Sequence, residues 1–170
     1  MNLHQMFIKE RWLKVKTLAI LPCGKRKIWD KYPYHGSAKV KDVYIGNLHR
    51  LTRGYAEQFA TDWVILSAKH GFRSRNEIIK ENYDLTFGMK NDGIISNEAL
   101  KKQIKEKQLD QYDKWIVLTG QKHLNVLRQI VDLKKLNTPL LGTRGIGDMQ
   151  KRLKCAIDNK RPLPNQYLEK

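Results

Sequence analysis

Two cysteines stand in 170 residues, Cys23 and Cys155, too few and too far apart for a disulfide framework. With so few thiols the default setting is a reducing cytoplasm. No run of apolar residues approaches the roughly 18 needed to cross a bilayer, so a membrane span is not expected. The first residues, Met1 to Lys16, carry Lys9, Glu10, Arg11, Lys14 and Lys16 among short apolar pieces, which reads against a secretory signal. Histidines lack HxxxH or HxH spacing and Cys23 has no nearby partner, so neither a metal nor a cofactor is called for. A GxxxxGK[ST] loop and a GxGxxG turn are both missing, and Ser67 does not sit in a GxSxG elbow. Internal repeats and low-complexity linkers are absent too.

Acidic residues are also scarce: 17 Asp and Glu stand against 33 Lys and Arg, a net charge of +16. Residues 1–100 carry 17 basic and 10 acidic side chains, and residues 101–170 carry 16 and 7, so the halves hold +7 and +9. The excess runs through the whole chain and is not a detachable tail. Such a field favours polyanions, DNA or RNA first, through phosphate contacts and counterion release. At 41% hydrophobic and 29% charged, the composition is that of a folded protein with one core.

The apolar pattern gives a single α/β domain over residues 1–170, with residues 1–16 as an N-terminal arm or short helix. Thr17–Pro22, Trp63–Ser67 and Lys114–Thr119 read as strands buried on both faces, and Thr138–Leu141 as a fourth, shorter one. Helical spacing runs over 43–60 after Asp42 as N-cap, 96–109 behind Ser96, 123–133 and 149–157. Strand and helix in alternation imply a three-layer, parallel or mostly parallel sheet of about four strands, with helices on both faces. Two stretches, 25–41 and 68–93, exceed ordinary connection lengths and read as functional loops.

In open parallel sheets ligands bind beyond the carboxyl ends of the strands. Here every predicted strand ends in small residues and cations: Cys23-Gly24-Lys25, Ser67-Ala68-Lys69-His70, Gly120-Gln121-Lys122-His123 and Gly142-Thr143-Arg144-Gly145. Converging on one rim, Lys25, Lys27, Lys69 and Arg144 would hold phosphates, with Gly24 and Gln121 at the turns. Tyr44, Tyr83 or Phe72 would shape a pocket for an extruded base. Asp84, set between Tyr83 and Phe87, is a candidate carboxylate whose pKa burial would tune, and His70 or His123 a donor to a departing base. Cys23 reads either as a small strand-end residue, the simpler reading, or as a thiol of lowered pKa near Lys25.

Cys23-Gly24-Lys25-Arg26-Lys27, Asp42-Val43-Tyr44, Leu66-Ser67-Ala68-Lys69-His70-Gly71 and Asn82-Tyr83-Asp84 together resemble an uncharacterised bacterial and phage family. Its members carry a CGKxK strand end, a D-x-Y helix start, an LSAKHG strand end and a Y-D pair. The likeness runs from about residue 17 to 150. That family is similar to the YaaA-like proteins and to a domain of archaeosine synthases, and more distantly to the uracil-DNA glycosylase fold. The resemblance implies nucleobase or nucleic-acid recognition on a uracil-DNA glycosylase-like sheet. The glycosylase Asp-Pro pair after the first strand is absent, with Pro22-Cys23-Gly24 in its place, and so is a His-Pro-Ser segment. The expectation is therefore a DNA- or RNA-binding protein that recognises a base, with glycosidic cleavage by Asp84 and His70 as its catalytic form. A non-catalytic DNA-binding module and a small nucleotide or nucleoside-phosphate enzyme stand as alternatives.

Overall fold

The computed structural model describes residues 15–167, so the arm expected over 1–16 lies almost entirely outside the described residues. Among the described residues seven strands are present: β1 (Thr17–Pro22), β2 (Ala38–Lys39), β3 (Asp62–Ser67), β4 (Gly71–Ser74), β5 (Ile78–Ile79), β6 (Lys114–Val117) and β7 (Leu136–Asn137). The helices are α1 (Ile28–Lys31), α2 (Val40–Val43), α3 (Asn47–Phe59), α4 (Asn97–Glu106), α5 (Gln121–Ile130) and α6 (Ile146–Asn159).

Five strands form the main sheet in the order β4-β3-β1-β6-β7. β1 lies at its centre, parallel to β3 and β6, with Ala19 opposite both Trp63 and Ile116. β7 adds a fourth parallel strand, and β4 folds back antiparallel on β3. The fold is thus mixed α/β with a mostly parallel sheet.

The unbroken apolar run of β1 divides by period two between two cores. Ala19 and Leu21 face one side with Trp63, Ile65 and Ile116, beneath Leu51 and Tyr55 of α3 and Met149 and Leu153 of α6. Leu18 and Ile20 face the other with Val64, Leu66 and Trp115, beneath Leu100 of α4 and Leu124 and Leu127 of α5. Each fully buried aliphatic side chain contributes about 1.5–3 kcal/mol. A strand feeding two such cores cannot slip by one residue without exchanging them.

Four expectations are corrected, the first being the size of the sheet, which has five strands and not about four because β4 adds an antiparallel edge. Thr138–Leu141 is a loop and turn, because pairing stops at Asn137 immediately before Thr138-Pro139. The fourth parallel strand is instead the preceding Leu136–Asn137. The chain after Ser67 does not run into a long loop: it turns over Ala68-Lys69-His70 into β4, so Ser67 pairs with Gly71. Gly71 has φ +71°, and a Cβ there would stand 2.2 Å from Gln103 Oε1, so both backbone and space demand glycine. Asp42 does not cap the long helix, since it is exposed inside the one-turn α2. Tyr44 then takes an extended conformation and bridges Lys27, and α3 starts only after Gly46. By contrast Ser96 does cap α4, accepting from the Ala99 N–H at 3.1 Å.

Candidate functional site

The carboxyl ends of β1 and β3 meet Tyr83 in a buried polar cluster, with the exposed Asn82 and Asp84 on either side of Tyr83 in the chain. Pro22, the last residue of β1, pairs with Leu66 of β3, so Cys23 emerges beside Ser67-Ala68. The first turn of α5, behind β6, brings in His123, whose Nε2 lies 3.3 Å from Cys23 Sγ. Neighbouring strands thus join residues one hundred positions apart.

Tyr83 is the hub. Its hydroxyl accepts from Ser67 Oγ at 2.9 Å and is hydrogen-bonded to the Tyr44 hydroxyl. Ser67 Oγ in turn accepts the N–H groups of Lys69 (3.2 Å) and His70 (3.1 Å), which fixes the β3–β4 turn. Three hydroxyl hydrogens serve two oxygen–oxygen contacts in this chain, so one hydrogen remains for another acceptor. Burial pushes the Tyr44 phenol up, and burial, with Cys23 once it ionises, holds Tyr83 up at about 12. Both are neutral donors at physiological pH.

Lys27 is 5% exposed, and its Nζ lies 4.5 Å from the centre of the Tyr83 ring, with the Lys25 carbonyl as acceptor at 3.3 Å. Lys69 Nζ stands 5.9 Å from the same ring and His70 meets it edge-on at 5.0 Å. Burial lowers the Lys27 pKa, and Cys23 when ionised, then the Asp30 and Asp84 carboxylates, act the other way. A largely buried lysine without a direct carboxylate partner is costly, and such costs concentrate where chemistry is done.

The thiol is not lowered, contrary to the second reading of Cys23: burial pushes it up, against the Ala68 backbone and the Lys27 charge. Burial likewise drives His123 down to about 4, with the Leu66 carbonyl acting the other way. Both partners of the 3.3 Å contact are therefore neutral at rest.

Outside this cluster a cavity of about 540 Å³ opens between Lys25, Arg26, Asp30, Asn82, Tyr83 and Asp84. Its wall is internally braced. Asp30 accepts the Lys27 N–H at 2.8 Å, which holds its carboxyl low, and Asn82 Nδ2 reaches its other oxygen at 3.4 Å. Lys25 and Arg26 remain exposed on the rim.

The sequence-predicted residues separate accordingly. Cys23, Gly24, Lys25, Lys27, Tyr44, Lys69, His70, Tyr83 and His123 gather around the ends of β1 and β3; Gly24 packs 3.8 Å from the Tyr44 ring at the position a Cβ would take. Asp84 lines the cavity but is exposed, not buried as expected. Among the described residues no hydrogen bond or ion pair joins it to His70, whose buried Nε2 has no partner. Burial, then Arg73 and Lys69, lower the His70 pKa. Gln121 lines a separate cavity of about 230 Å³ with Thr143 and Gly145, while the exposed Arg144 donates its backbone N–H to Asp148 at the start of α6. The expected single rim is therefore divided: Lys25 and Asp84 line one depression, Gln121 lines another, and Arg144 lines neither. Phe72 is sealed in the core against Trp115 and stacks on no ligand.

Sequence reasoning did not find the Cys23–His123 contact, the Ser67–Tyr83–Tyr44 chain or the walls formed by Arg26, Asp30 and Asn82. Strand order carries the first: once β1 and β6 are neighbours, residues just past their ends must approach. No local signal carries the others.

The fold and site define an α/β protein whose polar cluster sits at the carboxyl edge of a parallel sheet. Residues 18–154 match a family of unknown function, DUF6884. An uncharacterized protein of Bacillus subtilis (strain 168), YfjM, is 37% identical over 150 residues, spanning 88% of this chain and all of the relative. The chain belongs to the DUF6884 family. No solved structure matches it significantly.

Proposed function

We propose that this protein binds nucleic acid across the carboxyl edge of its sheet and recognises a base there. The observation that carries the reading is the 540 Å³ cavity itself, where Lys25 and Arg26 stand exposed beside Asn82, Tyr83 and Asp84. Its volume falls in the usual range for one small ligand of about 300–1,000 Å³, and it pairs exposed cations for phosphate with directional groups for a base edge. The +16 charge supplies the long-range attraction. Cations and His70 already crowd the Tyr83 ring, so the expected mode is hydrogen bonding at the base edge and not stacking. The likeness to YaaA-like proteins, archaeosine synthase domains and the uracil-DNA glycosylase fold belongs to the same proposal, as does a cytoplasmic location.

Fluorescence anisotropy tests it with labelled single-stranded DNA, duplex DNA and RNA. Binding should weaken steeply with salt, and the double variant Lys25→Glu/Arg26→Glu should cut affinity at least tenfold and flatten the salt slope by about two contacts' worth. Equal affinity for wild type and variant would refute it. Saturable binding of mononucleotides with none of oligonucleotides would favour a small-molecule enzyme instead.

Glycosidic cleavage is a second reading, favoured by one observation: the Asp84 carboxylate stands in the cavity wall beside Tyr83. It predicts free base by mass spectrometry from incubated DNA and loss of that product in Asp84→Asn.

A further inference from the structure

We infer that Cys23 is a nucleophile and His123 its general base, forming a transient covalent bond to an electrophilic sp² carbon of the ligand. The inference rests on the base-binding reading for the identity of the ligand, but the dyad itself stands on geometry.

Three observations support it. Cys23 Sγ and His123 Nε2 are 3.3 Å apart, within reach for proton transfer between a sulfur and a ring nitrogen. The imidazole is locked: it is 8% exposed and packs edge-on against Phe87 at 5.1 Å, so its ring cannot swing away from the thiol. Cys23, by contrast, is only partly buried, at the strand end and not in the core.

The step balances without an oxidant or co-reactant. As the sulfur attacks, its proton passes to His123 Nε2 and an S–C bond forms. The C=O or C=N π pair moves onto the heteroatom, which takes a proton from the Lys27 ammonium. Reversal returns both protons and expels the thiol. Burial keeps both dyad members neutral until the ligand arrives, so an ion pair need not be held in a low-dielectric site. Amide carbonyl and ring C=N carbons of a nucleobase are the matching class of electrophile.

Alkylation by iodoacetamide, read residue by residue by mass spectrometry, tests the dyad without any nucleic acid. The exposed Cys155 serves as internal reference. General-base assistance contributes about 10²–10⁴ in rate, so His123→Asn should slow Cys23 at least tenfold and leave Cys155 unchanged. An unchanged or faster Cys23 rate would overturn the inference. Should His123→Asn fail to fold, the wild-type pH profile decides. A dyad gives a rate that levels off above about pH 5, once His123 is neutral. An isolated thiol gives a tenfold rise per pH unit from 5 to 8, and that result refutes the dyad. A single-stranded oligonucleotide carrying a vinylpurine separates the two proposals. A cross-link to Cys23 supports both; base-assisted alkylation with no cross-link and no oligonucleotide binding retains the dyad and rejects the base-binding reading.

Discussion

His49 should make this protein acid-labile, and replacing it should remove the lability. The side chain is 4% exposed on the inner face of α3, tilted against Tyr44 at 5.6 Å and edge-on to Trp63 at 6.2 Å. Neither ring nitrogen has a hydrogen-bond partner among the described residues. Burial, then the Arg53 charge, lower its pKa from 6.5 to about 4. Above pH 6.5 the group is neutral both folded and unfolded and costs nothing in linkage. Between pH 6.5 and 4 the unfolded chain binds a proton the folded chain refuses, so stability falls by about 1.4 kcal/mol per pH unit. Over the full window the loss is about 3 kcal/mol, a large share of the roughly 5–15 kcal/mol typical of a domain. His49→Leu keeps an apolar side chain in the site and removes the titration. Urea unfolding at pH 7.5, 6.0, 5.0 and 4.5 should show wild type losing about 3 kcal/mol more than the variant across the series. At pH 7.5 the variant should be equal or more stable, because an unsatisfied buried N–H costs about 1–3 kcal/mol. Parallel stability curves would refute the argument. His123, also driven to about 4, adds a similar loss that both proteins share.

Three further outcomes follow from the site and its supports. Tyr83→Phe removes the hub hydroxyl, leaving the Ser67 hydroxyl and Tyr44 without their partner; it should cost about 1–3 kcal/mol, a fall of about 2–12 °C in Tm by calorimetry. Gly71→Ala imposes a side chain at φ +71° and displaces Gln103, and chemical denaturation should show at least about 1 kcal/mol lost. Gln103→Ala should expose the Phe72 N–H to exchange, since its partner at 2.8 Å is the Gln103 carbonyl oxygen, and hydrogen-exchange mass spectrometry would detect faster exchange at the start of β4.

The central sheet was legible because β1, β3 and β6 are runs of apolar residues too continuous for a one-sided strand. β4 was not, because Gly71-Phe72-Arg73-Ser74 is four residues long with a single apolar side chain, and its strand state comes from pairing with β3. Leu136-Asn137 is shorter still, and the more apolar Thr138–Leu141 drew attention away from it. In the site, the cations and tyrosines after β1 and β3 were readable from chemistry alone. Burial of Lys27, exposure of Asp84 and the meeting of Cys23 with His123 depend on how three connections pack, which no local pattern encodes. Arg144 looked equivalent to Lys25 by motif; it differs because the β7 end opens on another depression.

Gln103 has a role beyond holding one turn. Its amide donates to the His70 carbonyl at 3.0 Å and accepts the Phe72 N–H at 2.8 Å, offering β4 the same donor and acceptor that a peptide group of a sixth strand would offer. The outer margin of β4 is therefore already paired at its first residues, by a side chain that cannot propagate the ladder. Arg73 guards the remainder, ion-paired to Glu77 at 3.5 Å. An edge so occupied gives an incoming extended chain nowhere to start, so the sheet ends at β4 by construction.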